Sequence, residues 1–426
     1  MNDLEDRLRT ELVELADALL RDEKTMGVPI HRGRDAEVAL HPFEESQLPA
    51  GPHWWRLAAV AASILAITGL GYLAIGLTNS GDEVLVQRPA VTPSSFGTWE
   101  TIAEAPIEPR PYAMTAWTGS EAVFWAGSSL TRGFAYSDGA IYNPDTDSWE
   151  AMVVPGWGHP GLSSVFFDGE LYALAKGGGT RFDPIAGQWI DLPPTEGMYL
   201  ASTVATDEAV YGLGPVTITT VGQPDLAIAR YDPESDSWQY GPVFEGTDDQ
   251  AEIVAGLARL ESTTVWTGTE IVVWHSTDGG IAFNPVTESW RTMPHPQSPS
   301  GLIHGSVAVE IDDGMAVLAE VENSDGVAVD VAVLRDEDWQ WHETGIDIPG
   351  FESVTVAGAG EWIVAFTADQ APVVIHLPSG AWQRTGGPLS GIDAPNTAWT
   401  GDQLIVWGGV KADADAPNGA RWTAPR

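Results

Sequence analysis

Seven side chains stand outside the regular pattern of this chain: Arg110, Arg132, Tyr136, Trp157, His159, Tyr199 and His304. They fall in Pro- and Gly-bearing stretches between apolar runs, which read as surface loops, and loops on a rigid scaffold carry recognition. Arginine presents a fork of donors that fits a carboxylate, and aromatic rings supply apolar faces with a polar tip. Gathered in one mouth, such residues would grip a carboxylate or a glycan. Covalent chemistry has no comparable signal. The chain contains no Gly-x-Ser-x-Gly, no His-Glu-x-x-His and no P-loop. The run Asp413, Asp415, Asn418 faintly resembles a calcium loop, but its spacing and the missing terminal Glu argue against a metal. No catalytic, cofactor-binding or metal residue is predicted.

Charge narrows the partners. Sixty acids against 20 Lys and Arg give a net charge of −40, which repels nucleic acid and other polyanions. Residues 1–79 hold 7 bases and 12 acids, so the excess of acid belongs to residues 80–426. Cysteine is absent, which removes disulfides, thiolate metal sites, cysteine nucleophiles and lipid attachment at a lipobox cysteine.

The elements that must position the loops are set by a repeat. Trp99, Trp149, Trp189, Trp238, Trp290, Trp341 and Trp382 recur at intervals of 50, 40, 49, 52, 51 and 41 residues, the length of a four-stranded propeller blade. In the best copies a first strand ends at Trp117, Trp266 or Trp399, followed by a Thr-Gly turn. A second apolar run then ends at Trp125, Trp274 or Trp407. Asn143-Pro144-Asp145-Thr146 is a turn in which proline fixes φ and the polar side chains bond back to the backbone, and Ser148 to Glu150 supply a last strand. A tryptophan that recurs at one place in every blade is expected to pack blade on blade. The repeats open with a lone outer strand at Trp99 and close with an inner pair plus Ala420 to Trp422, so the first strand can complete the last blade and leave no open edge. Seven blades balance this count; six remain if the degenerate fifth or sixth copy is half a blade.

Tyr231-Asp232-Pro233 through Trp238, Tyr142-Asn143-Pro144 through Trp149, Phe182-Asp183-Pro184 through Trp189 and Phe283-Asn284-Pro285 through Trp290 resemble kelch-type repeats over residues 96–426. The Gly-Gly of that family is kept only at Gly177-Gly178 and Gly408-Gly409. Its arginine stands only at Arg110, and the fifth copy replaces the turn proline with Arg335-Asp336-Glu337-Asp338. The resemblance implies an all-β, kelch-like seven-bladed β-propeller. Galactose-oxidase-like kelch enzymes need a cysteine-linked tyrosine, which this chain cannot supply.

Ahead of the repeats, residues 1–26 carry leucines at helical spacing and read as a short amphipathic helix, followed by a polar linker over 27–53. Leu57 to Leu77 form 21 uncharged positions, about 30 Å as a helix, within a transmembrane segment at 54–78. Trp54, Trp55 and Arg56 mark its cytoplasmic boundary, no base follows until Arg88, and 79–95 make a stalk. The expectation is a single-pass bacterial cell-membrane protein with a cytoplasmic N-terminus and the propeller outside, at 96–426. Its expected role is a non-catalytic binding module for a protein or a cell-wall glycan, without nucleic acid or cofactor. One alternative is a sensor that relays outer ligand binding to the N-terminal helix. Another is a glycan-processing enzyme using acids in the channel mouth.

Overall fold

The computed structural model describes residues 95–425 except 130–133, 153–163, 176–177, 184–185, 187, 216–224, 248–249, 260–261, 313, 325, 336–337, 369 and 412–418. The expected amphipathic helix, linker, membrane segment and stalk lie outside the described residues. Among those described, no helix is long and apolar enough to cross a membrane.

Seven four-stranded antiparallel sheets form the propeller. Blades 1 to 6 span residues 114–152, 164–191, 202–240, 262–293, 302–346 and 355–384. Blade 7 joins 396–423 to the strand Thr98–Thr101 from the start of the domain, which pairs antiparallel with Ala420–Thr423 and sets Trp99 opposite Trp422. The first strand of each blade lies beside that of the next, and the series closes from blade 7 back to blade 1. The second strands, such as Ala122–Trp125, Ile271–His275 and Trp362–Phe366, are wholly buried. Both their faces meet neighbouring blades, so they read as unbroken apolar runs rather than alternating ones. Seven clusters of buried side chains result among the described residues, one at each seam between adjacent blades.

The repeated outer tryptophans join the blades. Trp149 Nε1 donates to Ala103 O at 2.8 Å, Trp238 to Pro193 O at 2.7 Å and Trp290 to Pro242 O at 2.7 Å. Trp382 donates to Thr344 O and Trp99 to Thr385 Oγ1, both at 2.9 Å. Each acceptor belongs to the outer strand of the preceding blade or the segment just after it. The indole therefore both buries apolar area and satisfies a carbonyl or hydroxyl at the seam.

Blade 5 is complete, so the ring has seven blades and the six-bladed alternative falls. Its strands, Leu302–Ile311, Gly314–Asn323, Gly326–Arg335 and Asp338–Ile346, are nine or ten residues long, against two to seven elsewhere. The repeat position within it is Trp339, paired with Leu334, and not Trp341, which pairs with Ala332. Arg335 pairs with Asp338, and this tight turn moves the register by two residues. Between blades 3 and 4 lies the helix Ala251–Arg259, whose Ile253, Val254 and Leu257 bury against the seam of blades 3 and 4.

Candidate functional site

The turns joining the first and second strands share one face of the disc with the turns joining the third and fourth. Of the residues expected to bind, Arg110, Tyr136, Tyr199 and His304 lie toward the opposite face. Arg110 is buried and its guanidinium is satisfied from within: Nε donates to Glu108 O at 2.8 Å, Nη1 to Ala126 O at 3.4 Å, and both Nη groups reach the Asp138 carboxylate. Tyr136 lies under it, its ring centroid 3.7 Å from the guanidinium carbon, and donates its hydroxyl to Glu108 Oε2 at 2.9 Å. The fold thus brings Arg110 and Tyr136 together as an interlocked pair. Tyr199 packs at the edge of the seam between blades 3 and 4. His304 sits on the projecting end of blade 5, its Nε2 2.6 Å from Glu322 Oε2. Arg132, Trp157 and His159 lie outside the described residues.

A cavity of about 490 Å³ opens on the other face, between the inner hairpins of blades 5, 6 and 7. Strand register explains its position. Seven residues are equivalent on the first strands: Trp117, Phe166, Ala205, Trp266, Glu310, Gly358 and Trp399, paired with Ala122, Leu171, Val210, Ile271, Met315, Ile363 and Leu404. The indoles of Trp117, Trp266 and Trp399 lean against the seam with the preceding blade. Blade 5 has a carboxylate in this column and blade 6 has no side chain. A Cβ on Gly358 would stand 1.8 Å from Glu310 O, so only glycine lets the two strands approach so closely. No indole covers that seam, and the cavity lies over it.

Its polar walls are Glu310, Asp312, Thr397 and the indole of Trp399. Glu310 Oε2 accepts the backbone N–H of Trp266 at 3.3 Å. Asp312 and Trp399 flank Gly360, where an added Cβ would lie 3.1 Å from Asp312 Oδ2 and 3.4 Å from Trp399 Cζ2. Burial raises the Glu310 carboxyl above the ordinary range, Asp207 and Asp312 add repulsion, and the Trp266 N–H opposes the rise. Glu310 is nevertheless an exposed residue at the cavity mouth, so solvent weakens this rise. Every turn between first and second strands carries an acid and none carries a base: Glu121, Asp168, Asp207, Glu270, Asp312, Glu361 and Asp402. The cavity is an acidic, tryptophan-walled pocket suited to a neutral or cationic ligand with an apolar face. Among the described residues no group of three or more His, Asp or Glu is placed to hold a metal.

Fold and pocket together define a seven-bladed β-propeller with an acidic channel mouth. No protein-family model matches the chain, and no curated protein does. Among solved structures it is similar to an oligogalacturonate lyase in complex with manganese, with a TM-score of 0.53 and 11% identity, over 78% of this chain and 98% of that one. At that identity the likeness extends to the fold alone.

Proposed function

We propose that this propeller is a glycan-binding module held outside the cell by the apolar segment at residues 57–77. The observation that carries the reading is the cavity at the channel mouth, about 490 Å³ and walled by Trp399, Glu310 and Asp312. A volume of this order suits a small ligand or a short segment of a larger one. An indole supplies a surface for the apolar face of a sugar ring, and carboxylates accept hydroxyl hydrogens. The polyanion in the name of the similar lyase does not suit this mouth, because galacturonate carboxylates would face Glu310 and Asp312 without a base in the lining.

The test is binding of the full chain in detergent micelles to arrayed cell-wall and plant glycans, beside Trp399→Ala. Retention of a neutral or cationic glycan by the parent, reduced tenfold or more in the variant, supports the reading. Capture of no glycan, or capture indifferent to Trp399, removes it. A second reading, glycan processing, is favoured by the raised Glu310 carboxyl beside Asp312, a pairing that acid and base catalysis uses. New reducing ends or unsaturated products from a bound glycan, lost in Glu310→Gln, would support it.

A further inference from the structure

We propose that the cavity selects a glycan bearing a free, protonated amino group over its acetylated counterpart; this rests on the glycan-binding reading and names its substrate class. The lining presents two carboxylates and no Lys, Arg or His. Glu310 Oε1 and both Asp312 oxygens accept no hydrogen bond from the described residues, while Glu310 Oε2 takes only the Trp266 N–H. An ammonium group has three donors and a compact charge, so it can bridge two such carboxylates and relieve their repulsion. An acetamido group offers one N–H and no charge, and it leaves the repulsion in place. Trp399, across Gly360 from Asp312, supplies the wall on which the ring carrying the amine would rest.

The seam is specific to blades 5 and 6. Elsewhere in the same column Trp117, Trp266 and Trp399 place indoles, and Phe166 and Ala205 complete an apolar series. Glu310 therefore replaces an apolar side chain where the ring would otherwise gain packing. Its carboxylate is exposed at the cavity mouth, where Oε2 takes a single hydrogen bond, from the Trp266 amide at 3.3 Å. A cation in the cavity would pair with the two carboxylates and relieve their repulsion.

The experiment is calorimetric titration of the full chain in detergent micelles with a glucosamine tetrasaccharide and with its fully N-acetylated form, at about pH 6, where a sugar amine is protonated. The amine form is expected to bind at least about tenfold more tightly, with affinity falling as salt rises. Glu310→Gln and Asp312→Asn should each erase most of that preference. Glu352→Gln, on the opposite face of the disc, should leave it unchanged and so controls for diffuse attraction to an acidic protein. Equal binding of the two saccharides, loss of preference in Glu352→Gln, or no effect of the cavity variants overturns the proposal. If the acetylated form alone binds in a Trp399-dependent way, the amine inference falls and the glycan reading stands; if neither form binds, the inference falls and the array decides the reading.

Discussion

Replacing Arg110 separates a structural role from a ligand-binding one. Its Nε and Nη1 donate to the carbonyls of Glu108 and Ala126, its fork reaches Asp138, and Tyr136 stacks on it. Around it, Asn396 Nδ2 and the Gly409 amide both donate to the Arg110 carbonyl, tying blade 7 to the start of blade 1. In Arg110→Ala the Asp138 carboxylate, half exposed at 51%, is resolvated at little cost. The loss then comes from two carbonyls left without donors and from the vacated volume of a side chain only 1% exposed. At roughly 1 kcal/mol for each orphaned carbonyl and about as much for lost stacking and stem packing, the expected destabilisation is about 3 kcal/mol. For a domain of roughly 330 residues the entropy of unfolding converts each 1 kcal/mol into about 1.5 °C, so Tm should fall by about 4–5 °C. Arg110→Lys keeps the charge and loses the fork, and should fall about midway. Thermal and urea unfolding of both variants, with glycan affinity measured well below Tm, is the assay. A Tm within about 1 °C of the parent together with lost glycan binding would refute the structural assignment, because a ligand-gripping arginine weakens binding without loosening the ring.

Two further predictions concern protonation. The Glu310 carboxyl is raised in the folded state, so above that raised value its charge opposes folding, and the penalty fades as pH falls and the group protonates. Because Glu310 is solvent-exposed, Glu310→Gln should raise Tm of the ligand-free protein at pH 7 only slightly while it weakens ligand binding, and the gain should shrink toward pH 4. A lowered Tm at pH 7 would contradict this assignment. His342 is held below the ordinary histidine range by burial and then by His376 and Arg335; His376 is lowered by burial, partly offset by Glu361, and stacks on Trp362 with ring centroids 4.6 Å apart. Both are neutral when folded and bind protons more readily when unfolded, so stability is held above about pH 6.5 and lost as pH falls below it. His342→Gln should flatten the fall of Tm between about pH 6.5 and 5, and an unaltered slope would count against this assignment.

The fold was legible because one side chain recurs where its physical task recurs. Trp149, Trp238, Trp290, Trp382 and Trp99 each staple a seam, so the spacing of indoles in sequence is the spacing of blades, and the closing strand at Trp99 follows from counting strands. The register failed only where a local signal was missing. In blade 5 the turn lacks its proline and two tryptophans stand two residues apart, on the same face of one strand, so hydrophobic pattern cannot choose between Trp339 and Trp341; the Arg335 to Asp338 pairing does. The helix Ala251–Arg259 was hidden for a different reason. Its apolar stripe at Ile253, Val254 and Leu257 spans little more than one turn, which is shorter than periodicity can separate from a loop.

The cavity is built on short turns of two to four residues, which read in the sequence as scaffold. Its signal was nevertheless in the repeat. Aligning the first strands by the pairings of their hairpins yields one column, Trp117, Phe166, Ala205, Trp266, Glu310, Gly358, Trp399, in which two neighbouring members break an apolar series. The turn lengths differ between blades, so the column cannot be aligned by counting residues from the outer tryptophans; it requires the hydrogen-bonded register. A carboxylate in a position shaped for an indole is a local conflict with the packing that holds the ring, and such conflicts concentrate where a protein binds something. Gly358 strengthens the inference: with Glu310 O where its Cβ would be, blade 6 cannot place a side chain at this position of the column, so the opening there is fixed by backbone and would persist through side-chain motion.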